Sequence, residues 1–228
     1  MKKKIQFILN KPQLSENIGM SIRSIGCFGF KKIDIVNPRN KWPNEKGLSA
    51  SKHFASIAKS VRIFDTIPEA IKKSDLVIAT TVRQRDIKIP QIEIKDLKKI
   101  NAKNISILFG QENNGLSNQE ISYSNYILTV PTANHSSLNL SHSVSVIAYE
   151  LSQLDSLNLN SKKSNYLKSD QIENFVNFIM KTLNRRKFTT VANKKLNLEI
   201  SIRNFLKTSK IDEKSLKTAY GVLKIMTK

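Results

Sequence analysis

Short β-branched runs alternate with segments of helical periodicity over the first two thirds of the chain, and this alternation restricts the fold more than any other feature. Five apolar runs of four or five residues are typical of buried strands: 5–9, 33–36, 76–79, 105–109 and 126–130. Helical spacing lies between and after them, at 17–28, 49–59, 68–73, 118–123 and 140–154. Strands that alternate with helices predict an α/β domain with a mostly parallel sheet.

The last third of the chain has a different pattern. Residues 156–169 are rich in Ser, Asn and Lys and have no periodicity, which is typical of a linker. Helical spacing resumes at 170–183, 196–206 and 212–226. We therefore predict an α/β domain over residues 1–155, a linker over 156–169 and a small basic helical extension over 170–228.

The charge of the chain predicts a polyanionic partner. There are 38 Lys and Arg against 18 Asp and Glu, a net charge of +20. Residues 156–228 carry a net charge of +11 and the longer segment 1–155 only +9, so the extension is more than twice as densely basic. Lysine-rich composition alone could reflect an A/T-rich genome, but this uneven distribution favours nucleic acid. A membrane surface is less favoured, because the extension lacks a tryptophan-bearing amphipathic face.

Several other classes of protein are excluded or disfavoured. No apolar run approaches the length of a membrane span, and the N-terminal run is too short for a signal peptide, so we expect a cytoplasmic protein. The single cysteine, Cys27, excludes an internal disulfide, and we expect it to pack on the apolar side of the first helix. The histidines lack metal-ligand spacing, so no metal is expected. Neither a complete P-loop nor a dinucleotide-binding glycine fingerprint is present.

Candidate functional residues lie in three polar loops, each of which follows a predicted strand. The first loop contains Asn17 and Arg23, the second has Glu112 between two glycines, and the third has Ser137 and Asn139 before a helix. Because ligands of open α/β sheets bind at the carboxyl ends of strands, we expect the loops to share one ligand. For the first loop, a capping Asn and a solvated Arg are the simpler alternative.

Together, the loops resemble the three motifs of the SpoU/TrmH family of RNA ribose 2′-O-methyltransferases, within the SPOUT superfamily. The matching stretches are Asn17-Ile-Gly-x-x-x-Arg23, Ile107-Leu-Phe-Gly-x-Glu-x-x-Gly-Leu-Ser117 and Val130-Pro-Thr-x-x-x-x-Ser137-Leu-Asn-Leu-Ser141. Their order and spacing match the family and span nearly all of residues 5–154. Within the family, the helical tail is most similar to that of the TrmJ subgroup.

The resemblance implies a fold and a cofactor that periodicity does not show. The fold would be a SPOUT-type α/β knot, with residues 105–154 threaded into a deep trefoil knot, in a homodimer that contributes catalytic groups across its interface. S-adenosylmethionine would be bound in the knotted loops. The cofactor contacts that the resemblance implies are Thr80, Thr81, Val82, Gly110, Val130, Ser136, Ser137 and Leu138.

The resemblance also implies methyl transfer to a ribose 2′-hydroxyl, with Arg23 at the catalytic position. The residues expected to shape the site around it are Asn17, Glu112, Ser137 and Asn139. A guanidinium is a poor general base because its pKa is about 12.5 or higher. Arg23 therefore either loses its proton in a strongly perturbed site or remains cationic and binds the phosphate through its planar fork, and the second alternative is physically favoured.

For the substrate, similarity to the TrmJ subgroup implies tRNA, methylated at the cytidine or uridine of anticodon-loop position 32. The residues expected to bind the tRNA backbone are Arg185, Arg186, Lys187, Lys194 and Lys195, with Lys162, Lys163 and Lys168. A solvated lysine-rich surface is the alternative for them. Two other functions remain open: a ribosomal RNA 2′-O-methyltransferase of the same family, and a non-catalytic knotted RNA-binding protein. Residues 39–52 either face the substrate or form a surface loop.

Overall fold

A parallel sheet forms the centre of the protein. The computed structural model describes residues 4–83, 89–100, 102–154, 167–186, 188, 192–209 and 211–226. The strands in this part of the chain are β1 Lys4–Asn10, β2 Ile33–Val36, β3 Ile63–Phe64, β4 Leu76–Thr80, β5 Gln91–Ile92, β6 Asn104–Phe109 and β7 Tyr126–Leu128. They form one sheet in the order β3-β2-β1-β6-β4-β7-β5, and every neighbouring pair is parallel. The predicted α/β class is confirmed, and the trefoil knot stays a prediction.

The central strands carry buried apolar residues on both faces because helices cover both sides of the sheet. Along β1, Phe7 and Leu9 face one apolar cluster and Ile8, between them, faces the other. The helices that flank the sheet are α1 Ser15–Cys27, α2 Glu45–Ser51, α3 Ala55–Ser60, α4 Ile67–Ile71, α5 Asn118–Ile121 and α6 Leu140–Gln153. Side chains of α1 and α6 belong to the first cluster, and side chains of α4 and α5 belong to the second.

The prediction of one helix over residues 49–59 is wrong. The segment divides into the end of α2, a 3₁₀ turn at Lys52–Phe54 and α3. Lys52 has a left-handed φ of 51°, which a regular helix does not allow, so α2 ends there. Helix α2 also begins earlier than predicted, because the Asn44 side chain accepts a hydrogen bond from the Gly47 N–H at 3.0 Å.

Two glycines allow α1 and α2 to cross closely. A Cβ on Gly19 would lie 2.1 Å from the Gly47 carbonyl oxygen, so only glycine fits at this position of α1. Trp42 fills the space beside Gly47 and is buried, with its indole N–H donating to the Ala58 carbonyl at 3.3 Å. Trp42 therefore belongs to the core, and Gly19 serves helix packing.

Three further helices, α7 Ser169–Arg185, α8 Ala192–Thr208 and α9 Glu213–Met226, follow the sheet domain. They have an apolar cluster of their own, built on Phe175, Val176, Leu206 and Leu216. Leu167 is buried in the same cluster. Residues 155–166, which make up most of the predicted linker, lie outside the described residues. The division into domain, linker and extension therefore stays a prediction.

Arg203 joins these helices to the sheet domain. Its side chain is 1% exposed and forms a two-point ion pair with Glu173, at 2.7 and 3.0 Å. A single contact at 2.6 Å forms a second ion pair, with Glu199. Its remaining nitrogen donates to the Ser122 hydroxyl at 3.0 Å, and the guanidinium lies 4.3 Å from the centre of the Tyr123 ring. Burial opposes the charge of Arg203, but the two carboxylates outweigh burial and raise its pKa.

The expectation that Cys27 packs in the core is wrong, because its side chain is exposed. Cys27 ends α1 on the face that it shares with Met20 and Arg23, and this face points away from the sheet. In the described part of the chain, no helix has both the length and the apolar character needed to cross a membrane. Among the same residues, no three His, Cys, Asp or Glu side chains cluster as metal ligands would.

Candidate active site

The carboxyl ends of β1, β6, β4 and β7 lie side by side, and the loops that follow β4, β6 and β7 line one cavity. All the residues expected to contact the cofactor line this cavity: Thr80, Thr81, Val82, Gly110, Val130, Ser136, Ser137 and Leu138. These residues come from three separate loops, which only the strand order brings together. Their assignment as cofactor contacts stays a prediction, and their convergence on one cavity is a finding.

Glu112 fixes the start of α1 from the neighbouring loop. Its carboxylate accepts hydrogen bonds from the backbone N–H groups of Gln13 at 2.9 Å and Leu14 at 3.3 Å, and from the Asn17 side-chain amide at 2.8 Å. Helix α1 has no side-chain cap of its own, so Glu112 supplies both the acceptors and the negative charge that a helix N-terminus favours.

Asn17 and Asn139 link the first loop to the third. The Asn139 amide donates to the Asn17 side-chain oxygen at 3.2 Å, and Asn17 is 2% exposed. The Asn139 oxygen caps α6 by accepting from the Ser141 backbone N–H and hydroxyl, both at 2.8 Å. Three of the predicted catalytic residues therefore form one chain of hydrogen bonds, Glu112–Asn17–Asn139, that connects all three motifs.

The second loop turns tightly at the mouth of the cavity. A Cβ on Gly110 would lie 2.3 Å from the backbone carbon of Gly115, so the two segments of the loop are in backbone contact. Gly115 has a left-handed φ of 64°, and its N–H donates to the Gln111 carbonyl at 2.9 Å. The glycines therefore shape the turn that directs Glu112 toward α1.

Strand-end hydrogen bonds hold the loop after β4 in place. The Thr80 hydroxyl donates to the Leu108 carbonyl at 3.1 Å, and the Thr129 hydroxyl donates to the Thr81 carbonyl at 2.8 Å. Arg83 donates to the Asn113 carbonyl at 3.3 Å. These bonds join the loop after β4 to β6 and its following loop, and to the loop after β7.

The structure does not connect Arg23 to the other predicted catalytic residues. Arg23 is exposed on α1, and it has no hydrogen bond or ion pair with any part of the chain that the structure describes. Ser137 lines the cavity and is exposed. It does not take part in the chain of hydrogen bonds from Glu112 to Asn139. The catalytic roles of these residues stay predictions.

Sequence reasoning missed several residues that line the cavity: Arg83, Phe109, Leu128, Thr132, Leu140, Ser143 and Ile147. Phe109 and Leu128 are the last residues of β6 and β7, so their position directly before a polar loop was a usable signal. Ser143 and Ile147 lie on α6 at helical spacing from Asn139. Only the packing of α6 against the sheet shows that they face the cavity.

Four of the predicted RNA-binding residues lie where α7 ends and α8 begins. Arg185 and Arg186 are exposed at the end of α7, and Lys194 is exposed at the start of α8 with Lys195 half-buried beside it. Arg186 also donates to the Met226 carbonyl at 3.0 Å. Lys168 is exposed at the start of α7, while Lys162, Lys163 and Lys187 lie outside the described residues. Their binding role stays a prediction.

The family model of the SpoU rRNA methylase family matches residues 4–149, the segment that contains all three loops. The chain belongs to this family. The resemblance inferred from the three loops is confirmed, and the enzyme class is that of the SpoU methylases. A protein of Haemophilus influenzae named as an uncharacterized tRNA/rRNA methyltransferase is 31% identical over 188 residues, which cover 78% of this chain and 77% of that protein.

Other SpoU methylases have more specific names. The Methanocaldococcus jannaschii tRNA (cytidine-2′-O-)-methyltransferase TrmJ is 36% identical over 154 residues, 64% of this chain and 66% of that protein. The crystal structure of TrmJ from Z. mobilis ZM4 has a TM-score of 0.86 and 27% sequence identity. It matches over 98% of this chain and 99% of that one, so the similarity includes the C-terminal helices.

Proposed function

We propose that this chain transfers the methyl group of S-adenosylmethionine to a ribose 2′-hydroxyl of tRNA, at anticodon-loop position 32. The observation that supports the reaction is that the loops of the second and third motifs line one cavity, to which the Glu112–Asn17–Asn139 chain connects the first motif loop. The names of the M. jannaschii and Z. mobilis relatives support tRNA as the substrate. Position 32 rests on the similarity to the TrmJ subgroup.

The cavity suits the cofactor chemically. An adenosyl group needs apolar surface for its base and polar groups for its ribose and amino acid, a mixture typical of ligand pockets. Val82, Val130 and Leu138 supply apolar side chains, and Thr80 and Ser137 are among the hydroxyl residues beside them. S-adenosylmethionine would supply a sulfonium methyl, so this chain must align the acceptor hydroxyl and accommodate its proton.

We assign Arg23 the role of a cationic clamp. An exposed guanidinium with no carboxylate partner in the described chain is free to form a two-point contact with an RNA phosphate. The Glu112 and Asn17 bonds fix the N-terminus of the helix that carries Arg23, so they set its position relative to the cavity. Arg23→Ala should abolish turnover and keep cofactor affinity, and Arg23→Lys should remain poorly active because an ammonium cannot form the fork.

A second copy of the chain would cover the outer face of α1 and α6. The two helices pack together, with the hydroxyls of Ser24 and Ser145 2.6 Å apart. Their outer face exposes Met20 at 40%, Val146 at 37% and Tyr149 at 47%. Arg23 lies on this face, so a homodimer would place the clamp at the interface. Light scattering of Tyr149→Glu against the wild type tests this, and an unchanged mass would contradict it.

The decisive experiment is incubation with labelled S-adenosylmethionine and either total tRNA or ribosomal RNA, followed by nuclease mapping. We expect a 2′-O-methylated nucleotide at position 32 of tRNA. Labelling of ribosomal RNA alone would support the alternative substrate of the family. Cofactor titration by calorimetry tests the third possibility, since a non-catalytic RNA-binding protein need not bind the methyl donor.

The end of α7 and the start of α8, which carry Arg185, Arg186 and Lys194, are proposed to bind the tRNA backbone. Each lost phosphate contact lowers the salt dependence of binding by about one counterion. Replacing Arg185 and Arg186 by Gln should therefore weaken tRNA binding and flatten its salt slope by up to about two. Gln at Lys59 and Lys72, exposed lysines of the sheet domain, provides the matched control. Equal salt slopes for both double variants would contradict this role.

A further inference from the structure

A second carboxylate, Glu120, lies three residues after the second motif match, where it is buried on α5 and binds the end of β1. Glu120 accepts a hydrogen bond from the Asn10 amide at 2.8 Å and forms an ion pair with the Lys11 ammonium at 2.8 Å. Its other oxygen accepts from the Ser117 backbone N–H at 2.8 Å, and the Ser117 hydroxyl accepts from the Glu120 N–H in return. The Glu120 side chain is 12% exposed, so these protein groups rather than water surround most of its carboxylate.

Lys11 adopts a backbone conformation that lysine disfavours. Its φ is 50°, in the left-handed region, and its N–H donates to the Val36 carbonyl at 2.8 Å. Glycine or asparagine would adopt this conformation at lower cost. Strained backbone of this kind is maintained where the surrounding structure requires it, often beside functional sites. Here the left-handed turn carries a lysine whose ammonium is paired with Glu120.

The two carboxylates hold the segment 10–17 from both of its ends. Glu120 binds Asn10 and Lys11 where the segment leaves β1, and Glu112 binds Gln13, Leu14 and Asn17 where it enters α1. Both carboxylates belong to residues 110–120, a loop followed by the short helix α5, and the loop residues 110–113 also line the cavity. The position of α1 relative to the cavity therefore depends on both contacts.

We propose that Lys11 and Glu120 are a pair of positioning residues that set α1, and with it Arg23, relative to the methyl-donor cavity. This inference rests on the proposed function and assigns a role to residues outside the three motif matches. The pair acts through the backbone of segment 10–17 and touches neither reactant. Burial raises the pKa of Glu120, but the bonds from Lys11, Ser117 and Asn10 outweigh burial and lower it. Its carboxylate is therefore charged and able to hold Lys11.

Lys11→Gly is the first test, because glycine keeps the left-handed backbone and removes the ammonium. Lys52→Gly is its matched control: Lys52 has a φ of 51° and is exposed, its N–H donates to the Ser49 carbonyl, and its side chain forms no hydrogen bond or ion pair with any described residue. Lys11→Arg should restore the pair. Glu120→Gln, which removes the charge from the other side, is the second variant. The readouts are melting temperature, hydrogen exchange of the 11–17 amides, cofactor affinity, and kcat for methylation of total tRNA.

For Lys11→Gly we expect an unchanged melting temperature, faster exchange at Gln13 and Asn17, unchanged cofactor affinity and a kcat reduced by about tenfold to a hundredfold. Lys11→Arg should recover most of the kcat, and Lys52→Gly should match the wild type in every readout. Wild-type exchange and kcat in Lys11→Gly would overturn the proposal. If the wild type methylates no RNA, the proposed function fails by itself. The exchange rates then still decide whether the pair positions the segment.

Discussion

Glu112→Gln tests whether a carboxylate from the second loop caps the helix that carries the predicted catalytic arginine. Glu112 accepts three hydrogen bonds with its two oxygens, from Gln13, Leu14 and Asn17. A glutamine has one acceptor oxygen, so its NH₂ group faces a backbone N–H and leaves that donor unpaired. An unpaired donor costs about 1–3 kcal/mol, and the lost charge at the helix N-terminus adds about 0.3–1 kcal/mol. Because Glu112 is half-buried, we expect about 2 kcal/mol in total.

Equilibrium unfolding in urea measures this loss, and calorimetric titration with S-adenosylmethionine measures its effect on the cavity. Glu16→Gln is the matched control, because Glu16 lies in the first turn of the same helix, is 46% exposed and, among the described residues, has only a distant ion pair with Lys46 at 4.0 Å. Its loss should cost less than about 0.5 kcal/mol. Equal unfolding free energies for the two variants would refute the capping argument, since the helix dipole alone would then explain both.

Three further predictions concern the cavity and the helix α8. Gly110→Ala should weaken cofactor binding in calorimetric titration, because its Cβ would lie 2.3 Å from the Gly115 backbone; Gly221→Ala, which meets nothing within 4 Å, should not. Arg203→Met should lower the free energy of urea unfolding by about 3 kcal/mol, because it leaves two carboxylates without their buried partner. The exposed Lys217, paired with Glu213, is its control, and a loss as small as that of Lys217→Met would contradict the argument. Burial lowers the pKa of Lys207 to about 7 from its ordinary 10.5, so unfolding takes up a proton between these values. Stability should therefore rise from pH 7 to pH 10, by at most about 1.4 kcal/mol per pH unit, and a Lys207→Met variant with the same rise would exclude Lys207 as its cause.

The sequence predicted the long strands and most helices because their signals are local. A strand buried on both faces appears as a continuous apolar run, as Ile33–Val36 does, and the predicted and observed bounds of β2 are identical. The two-residue strands β3 and β5 were missed, since two residues show no periodicity. The exposure of Cys27 was also missed, because helical spacing identifies an apolar residue but not the face that the sheet covers.

The sequence by itself identified the family and its three motif loops, because each motif follows a strand and their spacing resembles one family. It also located the basic helical extension. Only the tertiary structure decided that β6 lies between β1 and β4, and this order places Glu112 against the start of α1 and Asn17 against Asn139. Only the tertiary structure also decided the pairing of Lys11 with Glu120 and of Arg203 with Ser122, which are 109 and 81 residues apart in sequence. Such contacts depend on how distant segments pack, and no local pattern of residue types specifies that packing.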